Sequence, residues 1–200
     1  TGAAEPTLCS PGTVQPNASQ GTCTSCEAGK YQDGEGQTVC DACTAGSYCK
    51  EGSSAPLPCP SGRHQNGTMV LLGLAMASED DCIECPAGAF CSTGAAEPTL
   101  CSPGTVQPNA SQGMCASCEA GTYQGGEGQT ACDACTPGSY CKTGASAPLP
   151  CPSGRHQNGT MTALNLSMTS EDDCVGCPAG AFCSTAAAEP TPCSPGTVQP

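Results

Sequence analysis

The chain has 200 residues, among them 21 cysteines, 26 glycines and 19 prolines, with four tyrosines, two phenylalanines and no tryptophan; its net charge is −13. Apolar residues are only 37% even with the cysteines counted, which excludes an enzyme with a deep hydrophobic interior, and five Lys and Arg cannot neutralise a nucleic-acid backbone. The longest apolar run, residues 69–77, falls far short of the roughly 20 residues that a membrane span needs, so no span is expected in this segment. Cysteine at this density marks a secreted chain held by crosslinks in place of a core.

Self-similarity organises everything else. Residues 1–92 reappear as residues 93–184 with no insertion or deletion, and fifteen of the 92 positions differ. Residues 185–200 read as the truncated start of a third copy. Copies this uniform suit an array in which each does the same job.

Within a repeat, one phrase recurs, C-x-x-G-x-φ, where φ is usually aromatic. In chain order it opens at Cys9, Cys26, Cys43, Cys59 and Cys85, and its last position is Val14, Tyr31, Tyr48, His64 and Phe90. The glycine suits a turn with positive φ, which lets the chain double back over the cysteine and bring the aromatic onto a disulfide. Three long modules (Cys9 to Cys23, Cys26 to Cys40, Cys59 to Cys82) put a polar loop between the phrase and a closing cysteine. Two short ones (Cys43 to Pro58, Cys85 to Leu100) carry a second cysteine directly after φ. Turns and short β-hairpins with almost no helix are expected. In the longest loop, Leu164, Leu166 and Met168 alternate with Asn165 and Ser167, and the first copy keeps Leu72, Leu74 and Met76. That alternation predicts a half-buried strand.

The cysteines admit two chemistries. Cys23-x2-Cys26-x13-Cys40-x2-Cys43 has zinc-ribbon spacing. Against zinc, each x2 pair straddles a module boundary, and Cys49 and its equivalents have no place in a ribbon. Disulfides are therefore expected. If every long loop closes on itself, the pairs are Cys9–Cys23, Cys26–Cys40 and Cys59–Cys82, leaving Cys43–Cys49 and Cys85–Cys91 by exclusion. The second copy gives Cys101–Cys115, Cys118–Cys132, Cys135–Cys141, Cys151–Cys174 and Cys177–Cys183. The short pairs rest on parity alone, and Cys49 has an alternative partner in a neighbouring module. Cys193 is unpaired in this fragment, its partner expected beyond Pro200. A 15-residue loop closed in this way gains about 3 kcal/mol in the chain-entropy account.

All five asparagines, Asn17, Asn66, Asn109, Asn158 and Asn165, stand in N-x-S/T, so N-glycans on protruding loops are expected. Asn165 replaces Gly73 of the first copy and is expected to face outward from the strand. No catalytic set, cofactor site or metal site can be assembled. His64 and His156 occupy the φ slot, where stacking on a disulfide is expected. The acidic runs at residues 78–81 and 170–173 lack the spacing of a calcium loop and read as solvated turns.

The phrase Cys85-Pro-Ala-Gly-Ala-Phe-Cys91 and the unit running from Cys26-Glu-Ala-Gly-Lys-Tyr31 through Cys40 to Cys43 resemble the cysteine-rich repeats of ephrin-receptor-like and TNF-receptor-like ectodomains. They are similar also to repeats of large surface proteins of single-celled eukaryotes. The resemblance implies small disulfide-laddered modules in tandem, stacked into an elongated rod. TNF-receptor modules carry interlocked cysteine pairs that this spacing does not reproduce, so their ligand binding is not carried over.

These readings converge on a structural extracellular glycoprotein, a repeat segment of a cell-surface rod, stalk or fibre of flagellar-hair or wall-fibril type. Its expected partners are further copies of the repeat and of the chain, together with covalent glycans. A receptor or adhesin ectodomain with a protein or carbohydrate ligand is the alternative, and a zinc-binding protein ranks third. Intact mass without reductant, with zinc analysis, separates the cysteine chemistries: thiol labelling confined to Cys193 and no zinc is the expected result.

Overall fold

The computed structural model describes residues 6–197, so the first five residues of the first repeat and the last three of the chain lie outside the described residues. The fold consists of tandem modules built from turns and two-residue hairpins. It divides into two compact units: Thr1–Pro86 with Phe90–Thr99 and Ala110–Met114, and Ala87–Ala89 with Leu100–Asn109 and Cys115–Pro200.

In the first unit the phrases end in short strands, each pairing antiparallel with the two residues just before the next phrase's opening cysteine. Thr13–Val14 pairs with Thr24–Ser25, Lys30–Tyr31 with Asp41–Ala42, Ser47–Tyr48 with Leu57–Pro58, and Arg63–His64 with Ile83–Glu84. The second unit repeats the pattern with Thr105–Val106 on Ala116–Ser117, Thr122–Tyr123 on Asp133–Ala134, Ser139–Tyr140 on Leu149–Pro150, Arg155–His156 on Val175–Gly176, and Ala181–Phe182 on Thr191–Pro192. A hairpin this short is not stable alone in water. Crosslinks and bonds between modules therefore have to hold it.

Ten disulfides do the first job. In the first unit they join Cys9 to Cys23, Cys26 to Cys40, Cys43 to Cys49, Cys59 to Cys82 and Cys85 to Cys91. In the second they join Cys101 to Cys115, Cys118 to Cys132, Cys135 to Cys141, Cys151 to Cys174 and Cys177 to Cys183.

The phrase glycine does the second. Gly12 has φ 84°, donates its N–H to the Gln32 carbonyl at 2.7 Å and accepts at its own carbonyl from the Cys26 N–H at 2.9 Å. This one residue thus ties its phrase to the next. A Cβ on Gly12 would lie 2.2 Å from the Gly52 carbonyl oxygen, so the residue is fixed both by its backbone angle and by the approach of a later turn. Gly46 is tighter still, with φ 75° and only 2.0 Å from such a Cβ to the Gly94 carbonyl oxygen.

Apolar burial is confined to small clusters. Tyr48 packs with Met76 on the Cys59–Cys82 disulfide, with Met69 against them, and Tyr140, Met168, Cys151, Cys174 and Met161 repeat the arrangement. The expectation that each aromatic covers the disulfide of its own module is corrected for Tyr48 and Tyr140. Tyr48 lies on the disulfide of the following module. Tyr31, Tyr123 and Phe90 are only half-buried, and Phe182 is 51% exposed. Disulfide sulfur is itself the buried matter, because modules of this size enclose little else.

The predicted strand in the long loop is absent. The five-residue helices α1 (Gly67–Leu71) and α2 (Gly159–Ala163) form there, and residues 164–168 follow as a turn and irregular chain. Local capping overrides the alternation. Asn66 caps α1 through its side chain. At the other end the Gly73 N–H donates to the Val70 carbonyl and the Leu74 N–H to the Met69 carbonyl, the paired bonds of a Schellman cap. Of the alternating residues only Met76 and Met168 are buried, while Leu72, Leu74, Leu164 and Leu166 are exposed.

The glycine geometry yields a direct test. Replacing Gly46 by Ala should cost about 3 kcal/mol or more, since it adds left-handed strain to an overlap with backbone. Gly67→Ala meets nothing within 4 Å and leaves the sequon intact, so it should be neutral or slightly stabilising. Denaturant midpoints measured with the disulfides intact distinguish the two.

Candidate functional site

The features that carry chemistry gather on the long loops. Asn17 and Asn109 follow the first hairpin strand of each repeat. The Asn17 N–H donates to Gln15 Oε1 and the Asn109 N–H to Gln107 Oε1, both at 3.1 Å, and both asparagines are exposed. Asn66 and Asn158 are half-buried N-caps. Asn66 Oδ1 accepts from the N–H groups of Thr68 and Met69 at 3.1 and 3.2 Å, and Asn158 Oδ1 accepts from Thr160 and Met161 at 3.1 and 3.3 Å. Capping engages Oδ1 and leaves Nδ2 as the atom to which an N-glycan attaches.

Asn165 differs from these four. It does not project from a strand. It follows α2 with φ 54°, where its N–H donates to the Thr162 carbonyl at 3.0 Å while the Leu166 N–H donates to Met161 at 2.8 Å. This is the same cap that Gly73 makes in the first copy at φ 67°. Asparagine is among the few side-chain-bearing residues that accept this angle readily, so the substitution keeps the helix end.

The glutamine that follows φ in the long modules is a structural residue that the sequence analysis passed over. Gln32 is 6% exposed; its Nε2 donates to the Val39 carbonyl at 2.8 Å and its Oε1 accepts from the Gly34 N–H at 2.9 Å. Gln65 Oε1 accepts from the Gly46 N–H at 2.9 Å, and Gln157 does the same for Gly138. The recurrence of glutamine at residues 15, 32 and 65, always directly after φ, was the available signal.

The remaining sequence features are placed as follows. Cys23, Cys26, Cys40 and Cys43 go to three different disulfides and do not converge as one ligand set. Cys193 is half-exposed and has no disulfide among the described residues. His64 and His156 are half-buried, and their backbones bridge to Ala95 and Ala187. The acidic runs form 3-10 turns at Glu79–Asp81 and Glu171–Asp173. Asp81 Oδ2 accepts from the N–H groups of Ala77 and Ser78 at 2.7 and 2.9 Å, so this carboxylate closes its own turn.

The matched segments begin at a phrase glycine and run through two long modules into a short one. Residues 12–56 and 104–148 match the family described as tyrosine-protein kinase ephrin type A/B receptor-like. These are ephrin-receptor-like modules. No curated protein matches the chain. Both ephrin-receptor-like segments contain the Gly12-type bond ladder in full: Gly104 donates to Gln124 at 2.7 Å as Gly12 does to Gln32. No helix among the described residues is long and apolar enough to cross a membrane.

Asp173 gives a pH prediction. The Thr169 N–H bonded to it is the largest influence and lowers its pKa from the ordinary 3.8; partial burial opposes this, and the Ser170 N–H and the Thr169 hydroxyl reinforce it. Because the folded value is depressed, the stabilisation is complete above the ordinary carboxylate value and is lost as pH falls through the lower folded one. Asp173→Asn should therefore lower stability at neutral pH and remove this residue's part of the acid sensitivity below about pH 4. Thermal unfolding of both proteins across pH 2–7 checks it.

Proposed function

We propose that this chain is a segment of an extracellular, N-glycosylated structural array, a rod, stalk or fibre at a cell surface of flagellar-hair or wall-fibril type. The observation that carries the reading is the recurrence of one set of backbone bonds at a 92-residue interval in copies that differ at fifteen positions. A ligand site needs one distinctive module, whereas a fibre needs many equal ones. The ephrin-receptor-like modules and the ten disulfides support an oxidising, extracellular setting. The unit of assembly is the repeat, residues 1–92 and 93–184, with a third beginning at 185. Its partners are further copies of the repeat and chain, with glycans on Asn17, Asn66, Asn109, Asn158 and Asn165. The acidic surface, at net charge −13, keeps unassembled chains apart.

The second reading is an ectodomain that binds a protein or carbohydrate. One observation favours it: five of the fifteen differences between copies fall within residues 70–77, a concentration of change on one largely exposed loop. Electron microscopy of the secreted, glycosylated chain tests the first reading. Filaments whose axial period is set by the repeat are the expected result. Isolated molecules that bind a defined ligand would sink it.

A further inference from the structure

The two copies carry the same groove with different linings. In the first unit Val70, Gly73, Leu74 and Gln65 line a groove of about 300 Å³ beside α1. In the second, Thr162, Asn165, Leu166 and Gln157 line one of about 240 Å³ beside α2. The five differences between the loops are Val70 against Thr162, Leu71 against Ala163, Gly73 against Asn165, Ala75 against Ser167 and Ala77 against Thr169. Each makes the second copy less apolar or smaller, or adds a polar group. Two of them act together: a sequon at Asn165 requires both the asparagine and Ser167, and the first copy has neither.

We propose that an N-glycan on Asn165 lies over the groove of the second unit and covers Leu166 in its wall and the neighbouring Leu164, while the equivalent groove of the first unit stays bare. The proposal rests on the reading that the chain is N-glycosylated, and it assigns this one glycan a role that the other four do not share. Three observations carry it. Asn165 is exposed and itself lines the groove, so a sugar on Nδ2 starts at its edge. Leu164 and Leu166 beside it are 65% and 54% exposed, which leaves apolar surface for the C–H faces of the first sugars. The rim supplies polar partners, with Gln157 Nε2 donating to Thr162 Oγ1 at 2.8 Å; the first copy has Val70 at the position of Thr162. Attachment forms a bond from Asn165 Nδ2 to the anomeric carbon of a lipid-diphosphate oligosaccharide. The diphosphate leaves with the bonding pair, and one amide proton passes to the transferase base. Asparagine is suited to the position because it brings the acceptor amide without losing the left-handed helix cap.

The test uses the full chain secreted from a glycosylating eukaryotic host. Glycopeptide mass spectrometry reads occupancy at each asparagine, and hydroxyl-radical footprinting reads the accessibility of each leucine. Ser167→Ala deletes the sequon while placing there the residue that the first copy has, so the loop should stay folded. The expected result is occupied Asn165 and several-fold slower oxidation of Leu166 in the wild type than in Ser167→Ala. Enzymatic release of the glycan should restore the faster rate. Conversely, Gly73→Asn with Ala75→Ser should slow the oxidation of Leu74. Equal Leu166 rates with Asn165 occupied would overturn the proposal. So would a bare Asn165 on a chain glycosylated at Asn17 and Asn109, a result that leaves the glycoprotein reading standing. Five bare asparagines would remove both.

Discussion

The glycine peptide of each C-x-x-G phrase is the joint on which the rest of this chain depends. Its N–H and its carbonyl both bond forward along the sequence, as Gly12 does to Gln32 and Cys26, and its missing Cβ admits a turn from further along, as Gly52 does at 2.2 Å. Disulfides close the loops, but they do so within a module. What links one module to the next is this backbone ladder, helped by glutamine side chains at the steps where a carbonyl is not presented, as at Gly46 and Gln65. Buried backbone groups in a chain without a broad core need such partners, because no regular sheet or helix supplies them.

With covalent and hydrogen-bonded constraints carrying the fold, the polar loops are released from packing duty. That is where most of the differences between the copies fall. The phrases tolerate only changes that leave glycine and cysteine untouched, whereas the stretch from Val70 to Ala77 changes at five positions without altering its caps. Exchange of Gly73 for Asn165 is the sharpest instance, since both residues accept the same positive φ, at 67° and 54°. A surface property is altered while the backbone stays as it was.

Much of the organisation was legible in the residues: the repeat, the phrase, the module types and the sparse secondary structure. The long loop was misread for an identifiable reason. Leu164, Leu166 and Met168 alternate as in a strand, but Asn158 and Asn165 bracket a helix too short to show a 3.6-residue period. The caps were the stronger signal and the alternation the weaker. The burial of Tyr48 against the following module's disulfide could not be read either, because sequence order assigns an aromatic to its own module when distances are unknown.

The sequence by itself determined that this chain folds by crosslinks and tight turns, since its cysteines, glycines and few aromatics allow nothing else. It also determined that the copies are equivalent, because near-identical segments fold alike. Only the tertiary structure decided which carbonyl each phrase glycine meets, which glutamines replace one, and that Cys49, with two candidate partners by spacing, bonds to Cys43. The glycine and glutamine contacts join residues about twenty apart, where no local periodicity reaches, and even the close Cys43–Cys49 pair had a rival that spacing left open. They are set by how one turn of chain comes to rest upon the next.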